Sequence, residues 1–184
     1  MIIKLLKCLH LFGLYRKFCF FLINHVFVSI KPFSCAVKRI LMNASGNAVG
    51  KGTTIVGPIT VYGTISIGEN CWINRGIIVH GNGHVSIGNN CDIAPDVVFL
   101  TGGHQIGDSM RRAGPGEVYE ITIGNGCWIG ARSTLLRNIS IGDGSIIAAC
   151  ACVNRNVSKN TLVGGVPAKV IRFLNDEYNK SFEE

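Results

Sequence analysis

From Ile55 onward an aliphatic residue falls at every sixth position: Ile55, Val61, Ile67, Ile73, Val79 and Val85. A second train runs Ile87, Ile93, Phe99, and a third runs Ile123, Ile129, Leu135, Ile141, Ile147, Val153. An α-helix repeats its apolar face about every 3.6 residues and a half-buried strand about every two, so neither accounts for this period. The unit is a hexapeptide, and a short unit repeated many times builds a solenoid.

Units such as IGENCW, IGNNCD, IGNGCW and IGDGSI each read as a short strand followed by a turn. The aliphatic residue fills the interior, while Gly, Asn or Asp takes turn sites at which positive φ is tolerated. Three units would close one triangular coil, and successive coils would stack as parallel sheets about 4.8 Å apart. The repeat breaks twice. Val79 to Ile87 runs over by two residues, and residues 102–120 leave the pattern before Ile121 resumes it. A loop of that length inside a solenoid demands a reason, and this one begins with TGGHQ.

The 184 residues suffice for one solenoid with extensions, and 23 glycines suit a coil made largely of turns. The predicted division is a basic, apolar helical segment at 1–43, the coil at 44–167 with its excursion at 102–120, and a short C-terminal helix at 168–184. In that last part Val170, Ile171, Phe173, Leu174 and Tyr178 suggest an amphipathic face. None of the eight cysteines forms a CxxC pair. Cys71, Cys91 and Cys127 share one small inward position of their hexapeptides, so buried free thiols in a reducing compartment are expected rather than disulfides or zinc.

Net charge is +7, and it is unevenly spread. Lys4, Lys7, Arg16, Lys17, Lys31, Lys38 and Arg39 all precede the first acidic residue, Glu69, interleaved with Leu, Ile, Phe and Val. This segment reads as one or two helices ending near Met42 and interrupted by Pro32. The run 18–30 is short of the roughly 20 residues that span a bilayer and contains Asn24 and His25. No small-residue cleavage site follows it, so a signal peptide is not expected. Two readings remain open: an interfacial helix on the cytoplasmic face of an anionic membrane, or a cap for the first coil and the oligomer. No nucleic-acid module accompanies the basic charge, and no nucleic-acid partner is expected.

Four features in order, IGNNCDIAPDV, the histidine of TGGH, ITIGNGCWIG and GGVPAKVIR, resemble the galactoside and maltose O-acetyltransferase branch of the hexapeptide-repeat acyltransferases. The interval from His104 to Trp128 matches that branch without a gap. The resemblance implies an all-β solenoid, a left-handed parallel β-helix, with acetyl-CoA as co-substrate, no metal, and a homotrimer whose donor groove lies between neighbours. A sugar or lipid-linked saccharide is the implied acceptor, in bacterial surface polysaccharide (lipopolysaccharide or capsule) biosynthesis. The expected location is cytoplasmic, with peripheral contact at the inner face of the plasma membrane as the further option.

The same resemblance assigns roles. His104 matches the general base that takes a proton from the acceptor hydroxyl. An imidazole suits that task because its ordinary pKa near 6.5 leaves it neutral yet basic at pH 7 to 8. Asn74 matches an asparagine that orients the acceptor, and Asn82 stands where the galactoside branch has an aspartate on the sugar, which replaces a charged acceptor by an amide. Arg111, in the excursion, would suit an anionic sugar. Trp128 matches a tryptophan near the acyl-donor groove, Ala131 and Ala149 fall where backbone groups meet pantetheine, and Asn154, Arg155, Lys169 and Arg172 lie where the phosphates would sit. Glu117, Glu120 or a backbone carbonyl could hold the imidazole ring. Competing readings are a serine acetyltransferase, a zinc hydratase of γ-carbonic anhydrase type using His80, His84 and His104, and a non-catalytic trimeric scaffold.

Overall fold

The structure is a computed structural model that describes residues 11–174. The expectations for residues 1–10, for Cys8 and for Tyr178 therefore fall outside the described residues. Three parallel sheets stand on the faces of a prism. The first stacks β1 (Ala48–Val49), β4 (Thr64–Ile67), β7 (His84–Ile87), β12 (Glu120–Ile123) and β15 (Ile139–Ile141). The second stacks β2 (Thr54–Ile55), β5 (Trp72–Ile73), β8 (Asp92–Ile93), β13 (Trp128–Ile129), β16 (Ile146–Ile147) and β18 (Thr161–Gly164). The third stacks β3 (Ile59–Val61), β6 (Ile77–His80), β9 (Val98–Leu100), β14 (Thr134–Leu136) and β17 (Cys152–Val153).

Every residue of the three aliphatic trains is buried, so the period of six is the period of the core. Coil length is recorded by side-chain bonds between stacked turns. The amide of Ile65 donates to Asn47 across 18 residues, that of Glu69 to Asn89 across 20, and that of Asn125 to Asp143 across 18. Between Asn89 and Asn125 the step is 36, because the excursion is spliced into that coil. Asn70 and Asn90 hold positive φ at equivalent corners, where an amide side chain tolerates the left-handed conformation better than a branched one does.

Cys71, Cys91 and Cys127 form an internal column, as expected, and their thiols donate to carbonyls of the next coil, Gly88, Gly124 and Gly142. The neighbouring sulfur of Cys91 and burial push the Cys71 thiol up, and Cys127 with burial pushes Cys91 up to about 11. Both are inert packing groups at neutral pH. Cys150 departs from the expectation of burial. It is exposed, at a corner with φ 61°.

Both ends of the prism are covered. At the N-terminal end α1 (Phe12–Phe21), a π-helical turn (Leu22–Val26) and α2 (Pro32–Ala44) pack on the first coil, with Pro32 opening α2 where its missing N–H costs nothing. The fully buried Lys38 donates from Nζ to the carbonyls of Ile55 at 2.5 Å and Val56 at 2.9 Å, and burial lowers its pKa. Arg16 donates to the carbonyls of Val61 and Gly63, and the Asn24 amide exchanges two bonds with the backbone of Ile59. These groups satisfy strand edges that would otherwise be open.

At the other end the expected helix is not formed over its first part. Residues Lys169–Phe173 make β19, antiparallel to β18. The physical reason is the free edge of β18, which offers a row of backbone partners to a β-branched segment. Ile171 closes the contact over Gly164, where an added Cβ would meet its Cδ1 at 2.8 Å.

Candidate active site

Residues 102–120 are not an irregular loop. They contain an antiparallel hairpin of β10 (Gly102–Ile106) and β11 (Ala113–Val118), with His104 opposite Gly116. The hairpin leaves the corner that follows β9, and the two extra residues of the previous coil lie at the same corner. An added Cβ on Gly81 would meet the Gly102 nitrogen at 2.5 Å, so the turn carrying Asn82 lies directly against the root of the hairpin. Thr101 locks the stack: its hydroxyl donates to the His80 carbonyl at 2.7 Å and accepts from the Gly83 amide at 3.1 Å. The two interruptions of the repeat are thus one structural feature, and they bring Asn82 to the base of the strand bearing His104.

His104 is exposed, and its Nδ1 lies 2.8 Å from the Gly114 carbonyl. A carbonyl only accepts, so Nδ1 carries the proton and Nε2 presents a lone pair. The orienting partner is therefore backbone rather than Glu117 or Glu120. Glu117 instead accepts from the Tyr119 hydroxyl at 2.7 Å, a bond that raises the Tyr119 pKa. Tyr119 packs at the hairpin root, where a Cβ on Gly103 would meet its hydroxyl oxygen at 2.7 Å.

A second group of residues gathers on the outer face of the second sheet. Trp72, Asp92 and Trp128 occupy the same register on β5, β8 and β13, and with Asn74 and Ala94 they line a groove of about 360 Å³. Asn74 spends its Oδ1 on the Arg75 amide at 2.9 Å, which leaves the Nδ2 group to face a ligand. Trp72 and Asp92 escaped the sequence reading. Their shared register with Trp128, each one place before a buried isoleucine, was the signal that could have found them.

The structure also brings Arg155 and Lys169 together, in a cavity of about 280 Å³ between Val153, Ser158 and Ala168. Ala131 and Ala149 stand at stacked corners, tied by the Cys150 amide donating to the Ala131 carbonyl at 2.9 Å. Asn154 is exposed beside Arg155, and Arg172 lies on β19 near Lys169. Arg111 is set apart from these, exposed near the hairpin tip, where Asp108 accepts its backbone amide at 3.1 Å. His104 is not among the residues lining the groove of Asn74 and Trp128: the hairpin leaves from the third sheet, while the groove lies on the second. Of the other histidines, His84 bonds the Thr64 hydroxyl through Nδ1 at 2.8 Å and His80 stacks on Tyr62 with ring centroids 5.5 Å apart.

Known proteins share this arrangement. The family model described as bacterial transferase hexapeptide (six repeats) matches residues 120–155. The galactoside O-acetyltransferase of Escherichia coli (strain K12) is 35% identical over 147 residues, covering 79% of this chain and 72% of that protein. Among solved structures, a galactoside acetyltransferase in complex with coenzyme A aligns with TM-score 0.78 and 30% identity over 90% of this chain and 82% of its own. A hexapeptide-repeat-containing acetyltransferase of Vibrio cholerae O1 biovar eltor, complexed with acetyl-coenzyme A, aligns with TM-score 0.76 and 28% identity over 88% and 86%. A stacked hexapeptide core, a histidine-bearing excursion and a relative of this identity and coverage agree, and the chain belongs to the hexapeptide-repeat acetyltransferase family.

Proposed function

We propose that the protein transfers an acetyl group from acetyl-CoA to a hydroxyl of a sugar, with His104 as general base. The observation that carries the reading is the 2.8 Å bond from His104 Nδ1 to the Gly114 carbonyl, which fixes the ring with Nε2 outward on an exposed strand. Nε2 takes the hydroxyl proton as the sugar oxygen attacks the thioester carbonyl. The tetrahedral intermediate collapses with loss of the CoA thiolate, which recovers the proton from the imidazolium. A positioned base of this kind supplies about 10² to 10⁴ in rate.

The residues fit the donor. Arg155 and Lys169 share one cavity and offer the cations that phosphates need, with Asn154 and Arg172 beside them. The corners at Ala131 and Ala149 supply backbone groups for the amides of pantetheine, and Trp128 offers a flat wall. On the acceptor side Asn74 Nδ2, Asn82 and Arg111 are the polar groups assigned to the sugar. Because His104 and the Asn74–Trp128 groove lie on different faces of one chain, the reading includes a homotrimer in which neighbouring subunits complete each site. The hairpin supports this. Its Ile106 and Met110 are 86% and 92% exposed, and both would find cover against a second copy.

For the acceptor we infer a precursor of bacterial surface polysaccharide carried on a lipid, with the reaction on the cytoplasmic side. The support is the basic, apolar N-terminal segment, which exposes Leu14, Phe18 and Phe21 beside Lys17. The test is acetyl-CoA consumption by wild type and His104→Ala against neutral and acidic sugars, lipid-linked oligosaccharides and serine. Transfer to a sugar that falls by about 10² to 10⁴ in His104→Ala is the expected result. Turnover with serine alone would replace the sugar reading by serine acetyltransfer, and no acetyl-CoA binding at all would leave only a scaffold.

A further inference from the structure

The N-terminal helices use their two sides differently. Lys38, Arg16 and Arg39 point inward, and their donors are taken by carbonyls of the first coil. On the outer side of α1, Leu11, Leu14, Phe18 and Phe21 fall at the three- and four-residue spacings of one helical stripe. Leu14 is 69% exposed, Phe18 56% and Phe21 54%. Leu11, Leu14, Tyr15 and Phe18 line a shallow hollow on the solvent side of the helix, uncovered among the described residues. The segment after α1 continues the pattern with Val28 and Ile30, and Phe33 at the start of α2 is also exposed. Lys17 and Lys31 are exposed among these residues, and the chain carries no Asp or Glu before Glu69.

We propose that this face docks on an anionic phospholipid surface, with the apolar stripe of α1 entering the headgroup boundary and Lys17 and Lys31 meeting lipid phosphates. Charge decides the occupant. A second copy laid on the same face would oppose lysine to lysine with no carboxylate on either helix, whereas an anionic bilayer neutralises both. Length decides the mode. No helix among the described residues is long and apolar enough to cross a membrane, and α1 with its π-helical turn ends at Val26. An amphipathic helix of this size lies in the interface instead. The inward cations then have a second consequence: they fix the helices rigidly to the coil, so the whole solenoid is held at one orientation to the lipid.

Docking on lipid does not depend on the acceptor, and vesicle sedimentation reads lipid rather than turnover. The full-length chain is sedimented with vesicles of phosphatidylcholine alone and of an equimolar mixture with phosphatidylglycerol, and its oligomeric size is measured by light scattering. Wild type is expected to pellet with the anionic vesicles and weakly with the neutral ones. Replacing Leu14 and Phe18 together by Ser is expected to lower partitioning by about tenfold or more, with circular dichroism and size unchanged. Lys17→Glu, which leaves the apolar stripe intact, is expected to lower it by about fivefold to tenfold. Failure of wild type to pellet overturns the proposal, as does wild-type partitioning by both variants. A smaller oligomer in the Leu14/Phe18 variant with lipid binding retained overturns it in favour of a contact between copies. Loss of acetyl transfer with lipid binding intact would count against the catalytic reading alone.

Discussion

The coil and the hairpin that interrupts it are both made of paired backbone, yet they are stabilised in opposite ways. In the coil each strand is only two to four residues long, and its stability comes from side chains turned inward against the coils above and below. In the hairpin the strands are longer, five and six residues, and no residue from Gly102 to Val118 is buried. The coil is complete within one chain. The hairpin holds its shape through backbone bonds and a few local groups, and it presents His104 where other molecules can reach it. The packed core and the exposed imidazole thus belong to different parts of the same sheet-forming sequence.

Substitutions on the two sides of this division should behave differently. The largest effect is expected for Phe99→Ala, at a fully buried coil position, with a loss of about 3–5 kcal/mol in denaturant unfolding. A small loss there would mean that the coils do not depend on the central packing. Lys38→Met is expected to cost about 2–3 kcal/mol, because two buried carbonyls lose their donor. Since burial lowers the Lys38 pKa, the unfolded chain binds more protons over the interval up to the ordinary lysine value. Wild-type stability relative to Lys38→Met should therefore rise with pH across that interval.

On the hairpin the same size of change should leave the fold nearly untouched. Met110→Ser is expected to shift chain stability by less than about 0.5 kcal/mol while weakening association of subunits, read by sedimentation at falling concentration. Unchanged association would remove the hairpin from the subunit interface. At the root of the hairpin, Tyr119→Phe is expected to cost about 0.5–1 kcal/mol from one lost side-chain bond to Glu117, visible as a slight fall in melting temperature with association unchanged.

The division also explains what could be read in advance. The core was legible because a period of six is local: Ile55, Ile93 and Val153 announce their burial by spacing alone. The flanking motifs single out His104 as a candidate, but they say nothing of what holds its ring, since the Gly114 carbonyl is a backbone group that no side-chain pattern marks. Nor could spacing reveal that Lys38 turns inward, because a lysine on an apolar helix reads the same whether it meets lipid phosphate or buried carbonyls. The strand at Lys169–Phe173 was missed for a related reason. Its amphipathic pattern suits a helix, and only the open edge of β18, which is distant along the chain from the sheet's earlier strands, makes the extended form better.

The two covered ends set the size of this molecule. A stack of near-identical coils has no internal reason to stop, and an uncovered last coil would be a template for the first coil of another molecule. Here a helical lid at one end and an antiparallel strand at the other act as terminators, and the number of layers between them is a free variable. Inserting one more 18-residue layer, the step between Asn125 and Asp143, should lengthen the rod without changing either terminator or the corner that carries His104. Chains of this architecture can thus be ruled to different lengths while the corner bearing the hairpin stays the same.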